Sequence, residues 1–542
     1  RRLERVVKKH LQTLKDPLHI AVHVKRTLEK DQFEEALMLT RKVSSTTNVV
    51  VSWNHLIDYQ LQNQRAHAAI KLFNEMKKRA QTPDARTYTT IFRGLAASEH
   101  PKMAVTEALR IYNSMITTGS VKPNTIHLNA VLDVCSRAGD IDSMFTTVST
   151  ANEGSRSADK QTYTIIFNAL RHKPDFNKRV DPEILQREIK VSIQRARVIW
   201  EEVLMRWRKG QVKLDEELTC AMARVLTTGD QRDNESILEL LGETMGIPRL
   251  GLGETAPKLP SPSMAEAQES AAAPKDAEQT QLTAIRPRND HNSFSKSLQT
   301  SSQNPTLFPV PGNNTLSLIL FSTEKTRKTS LANKYWEYLT RQRGVIPDKD
   351  NYFRYLRVVQ RSHNSQKMAE LISSFPIPYL SDMTFRYAFS ACINDELNKN
   401  AFRHACQIFD VMATKMRYPD ALAMRLFLQV ARGSFRHLTQ GVSVEEGRLA
   451  LGRQTVTAVD RMWQPFRILV GSFSYPEAKT ESPQQAWDMA KADLGEAMAT
   501  ARKMISAMDK VVFEEMASPE VMKIMNTRRS ILNKLYERYL EK

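Results

Sequence analysis

Few side chains in this sequence have the type and spacing that catalysis or metal binding requires. The sequence has four cysteines, Cys135, Cys220, Cys392 and Cys406. They form no CxxC pair and no zinc-ligand spacing, which predicts buried, inert thiols in a reducing compartment. His19 and His23 have the four-residue spacing of metal ligands on one helix face, but the intervening residues lack the glutamate of a zinc hydrolase. No P-loop, nucleophile elbow or dinucleotide-binding motif is present.

These observations predict no metal, no cofactor and no enzymatic activity. A metal-dependent nuclease with scattered aspartates is the enzymatic alternative that one sequence leaves open.

Short polar side chains mark another kind of candidate site, in the stretch VVSWNHLIDYQLQNQRAHAAIKLFNEMKKRAQTPD at residues 50–84. Apolar residues recur there at helical spacing, which predicts two amphipathic helices closed by Pro83 and Asp84. Asn54, near the start, and Asp84, at the end, can both form hydrogen bonds. Because a hairpin of this size buries too little apolar surface to fold alone, it must pack against neighbours.

The same unit recurs along the chain with a period of 35 residues, the length of residues 50–84. Its next copies occupy residues 85–124, 125–159 and 160–215. The copy at residues 85–124 carries a small insertion, and the last copy is interrupted near residues 172–183. A fixed period of this size is typical of a stacked repeat array, in which each hairpin buries its apolar faces on the next.

Weaker copies flank this set. They begin at Leu18, Glu216, Asn314, Lys349 and Asp382. The pattern fades after the first helix of the copy at Glu216, and the period is lost beyond about residue 440.

Composition and periodicity divide the chain into five parts. The parts are N-terminal helices with a degenerate repeat (1–49), a first repeat block (50–250), a flexible Ala/Ser/Pro-rich linker (251–312), a degenerate second block (313–440) and a C-terminal helical region (441–542). Within the last part, the Ser-Pro pairs at Ser482 and Ser518 predict the starts of two long helices.

The charge of the chain predicts an anionic partner. The formal net charge is +18 and the isoelectric point is about 9.6. Nucleic acid is the first expectation and an anionic membrane surface the second. No stretch has the length and apolar character of a membrane span. The basic start RRLERVVKKH has no initiator Met, and it fits either the remainder of a transit peptide or a solvated helix face.

The units resemble pentatricopeptide repeats, the helical-hairpin repeats of organellar RNA-binding proteins. The resemblance is carried by the period, the polar-aromatic entry of the first helix, Ala69 and Met76 in the second helix, and the terminal Pro-Asp. The SRAGDID sequence at residues 136–142 also resembles the turn between the two helices of this family. The resemblance covers residues 50–215 and, in degenerate form, residues 314–420. It implies an all-α fold, a right-handed α-solenoid of helix-turn-helix repeats in two blocks joined by the linker.

In this family each repeat reads one RNA base, mainly through its fifth and its last residue. The resemblance implies four base-reading pairs: Asn54 with Asp84, Thr89 with Asn124, Asn129 with Asp159, and Thr164 with Asp215. By the family's code these pairs favour U, A, U and G, read 5′ to 3′. The resemblance also implies four base-flanking residues at the second positions: Val51, Arg86, Ile126 and Gln161. Helix capping is the rival explanation, because Asn, Asp and Thr are common caps.

The later repeats depart from this pattern. Their equivalent pairs are Leu318 with Asp348, Phe353 with Ser381, and Arg386 with Asp420. Leu and Phe cannot read a base edge by hydrogen bonding, so these repeats are expected to hold the RNA backbone, structured RNA or a protein. The nearby arginines would either contact phosphates or form a solvated face: Arg354, Arg357 and Arg361.

The resemblance implies a non-catalytic, monomeric adaptor of the mitochondrial matrix that binds single-stranded RNA, either a ribosomal RNA precursor or an mRNA. The expected role is RNA maturation, meaning 5′-end processing, splicing, stability or translation, with the mitochondrial ribosome or its small-subunit proteins as partners. A structural protein of the ribosomal small subunit, without base reading, is the alternative.

Overall fold

A computed structural model describes residues 2–118, 121–152, 154–171, 181–250, 308–433, 443–472 and 483–540. In these residues every regular element is helical. The α-helices are α1 (Arg2–Thr13), α2 (Pro17–Glu29), α3 (Phe33–Val43), α4 (Val50–Gln62), α5 (Ala66–Lys78), α6 (Ala85–Ala96), α7 (Pro101–Thr118), α8 (Thr125–Ala138), α9 (Ile141–Val148), α10 (Lys160–Leu170), α11 (Pro182–Arg208), α12 (Glu216–Leu226), α13 (Gln231–Met245), α14 (Asn313–Lys325), α15 (Thr329–Glu337), α16 (Lys349–Arg361), α17 (Ser365–Ser373), α18 (Asp382–Asn394), α19 (Ala401–Lys415), α20 (Ala421–Gly433), α21 (Val444–Ser472), α22 (Pro483–Phe513) and α23 (Pro519–Leu540).

The helices form an α-solenoid of hairpins. The even-numbered helices α2 to α20 are the first helices of the hairpins, and each packs against the next first helix along the stack. The odd-numbered second helices pack against first helices, either that of their own hairpin, as α5 against α4, or that of the next, as α7 against α8, and α17 also packs against α19. The first helices therefore form one continuous layer, and a residue at a fixed position of each repeat recurs along that layer.

The hairpin α4–α5 illustrates why the sequence folds this way. Trp53, Leu56, Phe73 and Met76 are almost completely buried, because both helices turn their apolar stripe towards the neighbouring hairpins. The predicted closing residue Asp84 caps α6, where its side chain accepts a hydrogen bond from the backbone N–H of Thr87. The cap thus fixes where one repeat ends and the next first helix begins.

The repeat at residues 160–215 absorbs its insertion in the second helix. Helix α11 begins at Pro182 and continues to Arg208, so it is longer than the other second helices of the first block. Residues 172–180 lie outside the described residues. The hairpin after it is complete, since α12 is followed by α13, although the sequence pattern fades after the first helix.

The second block stacks directly on the first. Glu216 Oε1, at the start of α12, accepts hydrogen bonds of 2.9 Å from the backbone N–H groups of Gly312 and Thr315 and from Thr315 Oγ1. Tyr335 OH donates to the carbonyl oxygen of Pro248 at 3.1 Å. These contacts make the stack of first helices continuous from α12 to α14.

Most of the predicted linker, residues 251–307, lies outside the described residues, so its flexibility stays a prediction. The last residues assigned to it are held against the first block, where the Phe308 ring contacts the Trp207 ring at a centroid distance of 6.1 Å.

The C-terminal region contains three long helices. Two of them, α22 and α23, begin after the predicted Ser-Pro starts. The third, α21, was not predicted, because its sequence has no clear repeat and contains Pro465 in its interior. Helices α21 and α22 pack against α20, the last first helix of the stack. Within the described residues, none of the helices combines the length and the apolar character needed to cross a lipid bilayer.

All four cysteines are buried. Burial raises the pKa of Cys135, Cys220 and Cys392 to about 12, so these thiols stay protonated at neutral pH. The predicted burial of the thiols is confirmed for all four cysteines, and since the thiolate is the reactive form, their low reactivity stays a prediction that the raised pKa values support.

Candidate nucleic-acid interface

The residues at the fifth position of the repeats lie on equivalent turns of successive first helices. Asn54, Thr89, Asn129 and Thr164 occur on α4, α6, α8 and α10. Asn54 and Asn129 are buried at 6% and 5% exposure, Thr164 is at 9%, and Thr89 is half-buried. Fifth-position side chains are therefore held in place by the stack rather than extended into solvent.

Asn54 belongs to a hydrogen-bond network with the last residue of its own repeat and the third residue of the next. Asn54 Nδ2 donates to Asp84 Oδ1 at 3.3 Å. The hydroxyl of Thr87 lies 2.7 Å from Asn54 Oδ1 and 2.8 Å from Asp84 Oδ1, and it accepts a hydrogen bond from the backbone N–H of Asp84. A hydroxyl has one proton, so Thr87 can donate to only one of these two oxygens at a time.

The third repeat reproduces this network. Asn129 Nδ2 donates to Asp159 Oδ1 at 3.1 Å, and Thr162 Oγ1 donates to Asn129 Oδ1 at 2.6 Å. The backbone N–H of Thr162 is capped by Asp159 at 2.9 Å. The structure therefore brings the two predicted Asn–Asp pairs together in the same way. In each network a threonine is the third residue, and the sequence pattern did not reveal it.

The network fixes the orientation of each asparagine amide. An ionised carboxylate only accepts hydrogen bonds, so the amide atom facing Asp84 must be Nδ2 and the one facing Thr87 must be Oδ1. Burial acts to raise the pKa of Asp84, but hydrogen bonds from Thr87 and Asn54 more than offset burial and hold its pKa below the ordinary value. Asp84 is thus ionised at neutral pH, and Asn54 retains one N–H and one oxygen lone pair for a ligand.

The second pair is built differently. The Thr89 hydroxyl donates to the carbonyl oxygen of Ala85 at 2.9 Å, within its own helix. Asn124 Oδ1 caps the backbone N–H of His127 at 3.1 Å, which leaves the Asn124 amide nitrogen outside the cap. His127 takes the place of the threonine: its Nδ1 accepts from the N–H of Asn124, and its Nε2 therefore donates to Ala85 O at 3.0 Å.

The last residue of the fourth pair caps the next first helix despite the insertion. Asp215 caps α12, accepting from the backbone N–H of Leu218 at 2.9 Å, as Asp84 and Asp159 cap their helices. Thr164, like Thr89, donates its hydroxyl proton to a carbonyl oxygen of its own helix. Asp215 differs in pairing with Lys160 Nζ at 2.6 Å, and this hydrogen bond raises the pKa of Lys160.

The four predicted base-flanking residues are all exposed: Val51, Arg86, Ile126 and Gln161. Val51 and Arg86 come from successive repeats and line one pocket of about 480 Å³ together with Asn54. His55 and Arg93 line the same pocket, although the sequence comparison did not single them out. The pocket shows that the second and fifth positions share an open space between neighbouring first helices.

The later repeats do not offer comparable polar groups at the fifth position. Leu318 is buried, and the Phe353 ring packs on the Phe375 ring at 6.1 Å. Arg386 forms a bidentate ion pair with Asp420, with both nitrogen–oxygen distances at 2.7 Å. These side chains are used within the protein, and the expectation that the second block does not read bases stays a prediction.

The arginines of α16 surround one carboxylate. Arg361 lies 3.0 Å from Glu324, and Arg354 and Arg357 lie 3.8 Å from it. Arg354 also lies over the ring of Phe321 at 5.3 Å. Glu324 partly neutralises the three arginines, and the side chains of Arg357 and Arg361 remain partly exposed, so both expectations for these residues stay predictions.

Comparisons with known proteins agree on one class of repeat. The model of the PPR repeat family matches residues 48–97. "Pentatricopeptide repeat-containing protein 2, mitochondrial" of Schizosaccharomyces pombe is 25% identical over 43% of this chain and 53% of its own length. A chloroplastic pentatricopeptide repeat-containing protein of Arabidopsis thaliana is 28% identical over 30% of this chain and 20% of its own. The chain thus spans about half, or less, of the length of these curated relatives.

Solved structures of maize PPR10 also resemble this chain. The structure titled as the protein alone aligns with a TM-score of 0.44 at 14% identity, over 96% of this chain and 62% of that chain. The structure titled as a complex with an 18-nucleotide psaJ RNA element aligns with a TM-score of 0.43 at 13% identity, over the same shares.

Proposed function

We propose that the chain is a pentatricopeptide repeat protein whose first repeat block binds single-stranded RNA and reads one base per repeat, which its match to the PPR repeat family model and its similarity to a pentatricopeptide repeat-containing protein support. The observation that carries this proposal is the Asn–Asp–Thr network, which recurs two repeats apart with the same partners. A cap alone needs only the Asp side chain and a backbone N–H. Holding the fifth-position amide in one orientation is an additional property that a base-reading site requires.

The asparagine pairs match uracil. Each held amide presents one N–H donor and one oxygen acceptor, and the Watson–Crick edge of uracil offers a carbonyl oxygen beside an N–H. The orientation is set by the carboxylate and the threonine, so no entropy is lost in choosing it when the base binds. This supports U as the base read by Asn54 and by Asn129.

The threonine pairs suit purines. A threonine is shorter than an asparagine and leaves more room for a two-ring base. Its hydroxyl proton is donated to its own helix, so Thr89 and Thr164 present acceptor lone pairs to the amino group of a purine. The last residue then distinguishes the purines: the Asn124 amide can donate to the unprotonated ring nitrogen of adenine, whereas the Asp215 carboxylate can accept from the N–H groups of guanine.

The proposed role is that of a non-catalytic adaptor in mitochondrial RNA maturation. The name of the Schizosaccharomyces pombe relative supports a mitochondrial location, and the net charge of +18 supports a polyanionic ligand. We further propose that the adaptor acts in the matrix on a ribosomal RNA precursor or an mRNA. Four bases are too few to specify one transcript, so ribosomal proteins or RNA shape would supply the remaining specificity.

The second block favours a second candidate function for the chain as a whole. Its fifth positions are apolar or ion-paired, as in Leu318 and Arg386, so that half of the solenoid fits a protein or structured-RNA contact. A structural protein of the small ribosomal subunit would need only such contacts. The two functions differ in whether the isolated chain selects RNA by sequence.

The test is RNA binding by the purified chain, measured by fluorescence anisotropy. A short RNA containing UAUG should bind at least about 10-fold more tightly than the permuted word GUAU, since one net hydrogen bond contributes about 1 kcal/mol. The double variant Thr89→Asn with Asn124→Asp should move the preference at the second base from A to U.

The matched control applies the same changes outside the first-helix layer. Thr106→Asn with Asn113→Asp alters two exposed residues of α7 and should leave the preference unchanged. Equal affinity of the wild-type chain for both words would refute base reading and leave the structural candidate. An unchanged preference in the Thr89/Asn124 variant would show that these positions do not read a base.

A further inference from the structure

Three metal-binding side chains converge at the N-terminal end of the solenoid, away from the proposed RNA-reading residues. His10 lies in the last turn of α1, His23 in the middle of α2 and Glu35 in the first turn of α3. One nitrogen of each imidazole and one oxygen of Glu35 all lie within 4.8 Å of one another. His10 Nε2 is 3.6 Å from Glu35 Oε1, and the two imidazole centroids are 4.4 Å apart.

His23 provides a second observation that points to a ligand, because one of its ring nitrogens has no partner among the described residues. Its Nε2 atom is buried and has no hydrogen-bond partner within the described part of the chain. A buried polar nitrogen without a partner costs free energy, and it is unusual in a folded protein.

We propose that His10, His23 and Glu35 form a binding site for a divalent transition metal, with Zn²⁺ as the best match. Two imidazoles and one carboxylate are a common three-ligand set for zinc, with water as the fourth ligand. Ligand bonds of about 2.0–2.1 Å in a tetrahedron place neighbouring ligand atoms about 3.4 Å apart. The His10–Glu35 distance of 3.6 Å is close to this value, and the bound metal would supply the missing partner of His23 Nε2.

The histidine pair noted in the sequence is not the site. His19 lies on the same helix as His23, but its side chain is 74% exposed and faces Asp16 at 3.8 Å. The sequence could not reveal the actual trio, because its members are spread over three helices that only the tertiary fold brings together.

The metal joins α1 to the hairpin that begins the solenoid. Helix α1 packs mainly against α3, and Val7 is its one almost completely buried apolar side chain among those described. A metal held by α1, α2 and α3 therefore stabilises the packing of α1 on this hairpin, since binding to the folded state alone adds to stability.

A simple ion pair is the competing explanation for the trio. In that case His10 Nε2 and Glu35 Oε1, which lie 3.6 Å apart, pair directly with each other and hold no ion between them. The ion pair predicts no metal binding, whereas the proposed site predicts a stoichiometric ion, so calorimetry separates the two.

The test is titration of the full chain with ZnCl₂ after removal of metal with a chelator. One Zn²⁺ ion should bind per chain, and its binding should raise the melting temperature. The variants His23→Ala and Glu35→Gln should each weaken binding by at least about 10-fold. His19→Ala, on the same helix as His23, is the matched control and should bind zinc as the wild type does.

A Co²⁺ titration identifies the ligands if a variant is too unstable for calorimetry. Bound Co²⁺ should show the visible absorption of tetrahedral coordination without the intense charge-transfer band of a thiolate, since all four cysteines are buried. A thiolate band, absence of metal binding by the wild type, or equal weakening by His19→Ala and Glu35→Gln would overturn the proposal.

Discussion

Thr87 and Thr162 would influence base recognition without touching a base. Each stands at the third position of a repeat and donates its hydroxyl proton to the fifth-position asparagine of the repeat before. In the other two cases the third-position residue is His127 or Leu218. The fifth-position residue of the repeat before is then a threonine, Thr89 before His127 and Thr164 before Leu218. The residue types at the third and fifth positions are thus matched across the boundary between repeats.

Replacing Thr87 by Val tests this arrangement, because it keeps the side-chain shape and removes the hydroxyl. We expect the preference for U at the first base to fall about 3- to 10-fold, since a net hydrogen bond contributes about 0.5–1.5 kcal/mol. Preferences at the other three bases should not change. Anisotropy measurements with RNAs that differ only in the first base would check both expectations.

Thr87→Ser is the control, since serine retains the hydroxyl in the same cap position. It should keep the preference for U, and Thr162→Val should weaken U at the third base instead. If Thr87→Val lowers affinity equally for all first bases, the threonine supports only the fold.

The fifth and last residues of the first block could be predicted from the sequence, because they recur with the repeat period. Asn54 and Asp84 are 30 residues apart, and the resemblance to one family was enough to pair them. The role of Thr87 could not be predicted in the same way, because its bond to Asn54 depends on how two hairpins stack. A comparison of third-position residues, Thr87, His127 and Thr162, would have given the only sequence signal.

Close contact between first helices sets the spacing of these positions along the solenoid. Gly94, on α6, faces Leu61 of α4, and a methyl group added to Gly94 would lie 2.5–2.8 Å from three Leu61 side-chain atoms. One of them is the Cβ atom of Leu61, which cannot move without its backbone. The absence of a side chain at Gly94 is therefore what allows α4 and α6 to approach.

Gly94→Ala should destabilise the first block by about 1–3 kcal/mol, the range for overpacking a dense core. The measurement is the free energy of unfolding from urea titrations. Gly471→Ala provides the control within another helix, because nothing lies within 4 Å of the added methyl group. It should be neutral or stabilise the chain by up to about 1 kcal/mol. Equal effects of the two substitutions would contradict the contact at Gly94.

The helices were predictable where caps and periodicity agreed, as at Asp84 before α6 and Asp159 before α10. Prediction failed for α21, where the repeat period is lost and Pro465 lies inside the helix. The starting proline of a helix is a local signal, but an interior proline is tolerated only because surrounding packing compensates for the lost hydrogen bond. The packing around Pro465 depends on the tertiary fold, so it could not be predicted from the sequence.

Over the whole molecule, the two repeat blocks form one stack because α14 packs directly on α12. Glu216 substitutes for a cap: the residue before α14 is Gly312, which has no side chain, and the carboxylate of the preceding repeat accepts the hydrogen bonds instead. The composition of the linker predicts a boundary between two blocks. The layer of first helices nevertheless continues across that boundary without a break.

Glu216→Ala should therefore weaken the junction between the blocks. Three hydrogen bonds to one carboxylate are lost, and we expect a decrease in the free energy of unfolding of about 1–3 kcal/mol. The neighbouring Glu217→Ala is the matched control, because Glu217 is exposed and should change stability by less than about 0.5 kcal/mol. Nearest-neighbour contacts dominate the stability of repeat proteins, so loss at this junction should separate the unfolding of the two blocks into two transitions.

A deletion of residues 265–300 tests whether the connecting segment contributes to the same junction. It leaves Glu216 and Gly312 in place and shortens the connection, which changes the loop-closure entropy by only about 1 kcal/mol or less. The deleted chain should unfold in urea like the full chain, and its RNA affinity should match as well. A separate transition for each block in the deleted chain, with Glu216 intact, would mean that the connecting segment and not the helix contact joins the two halves.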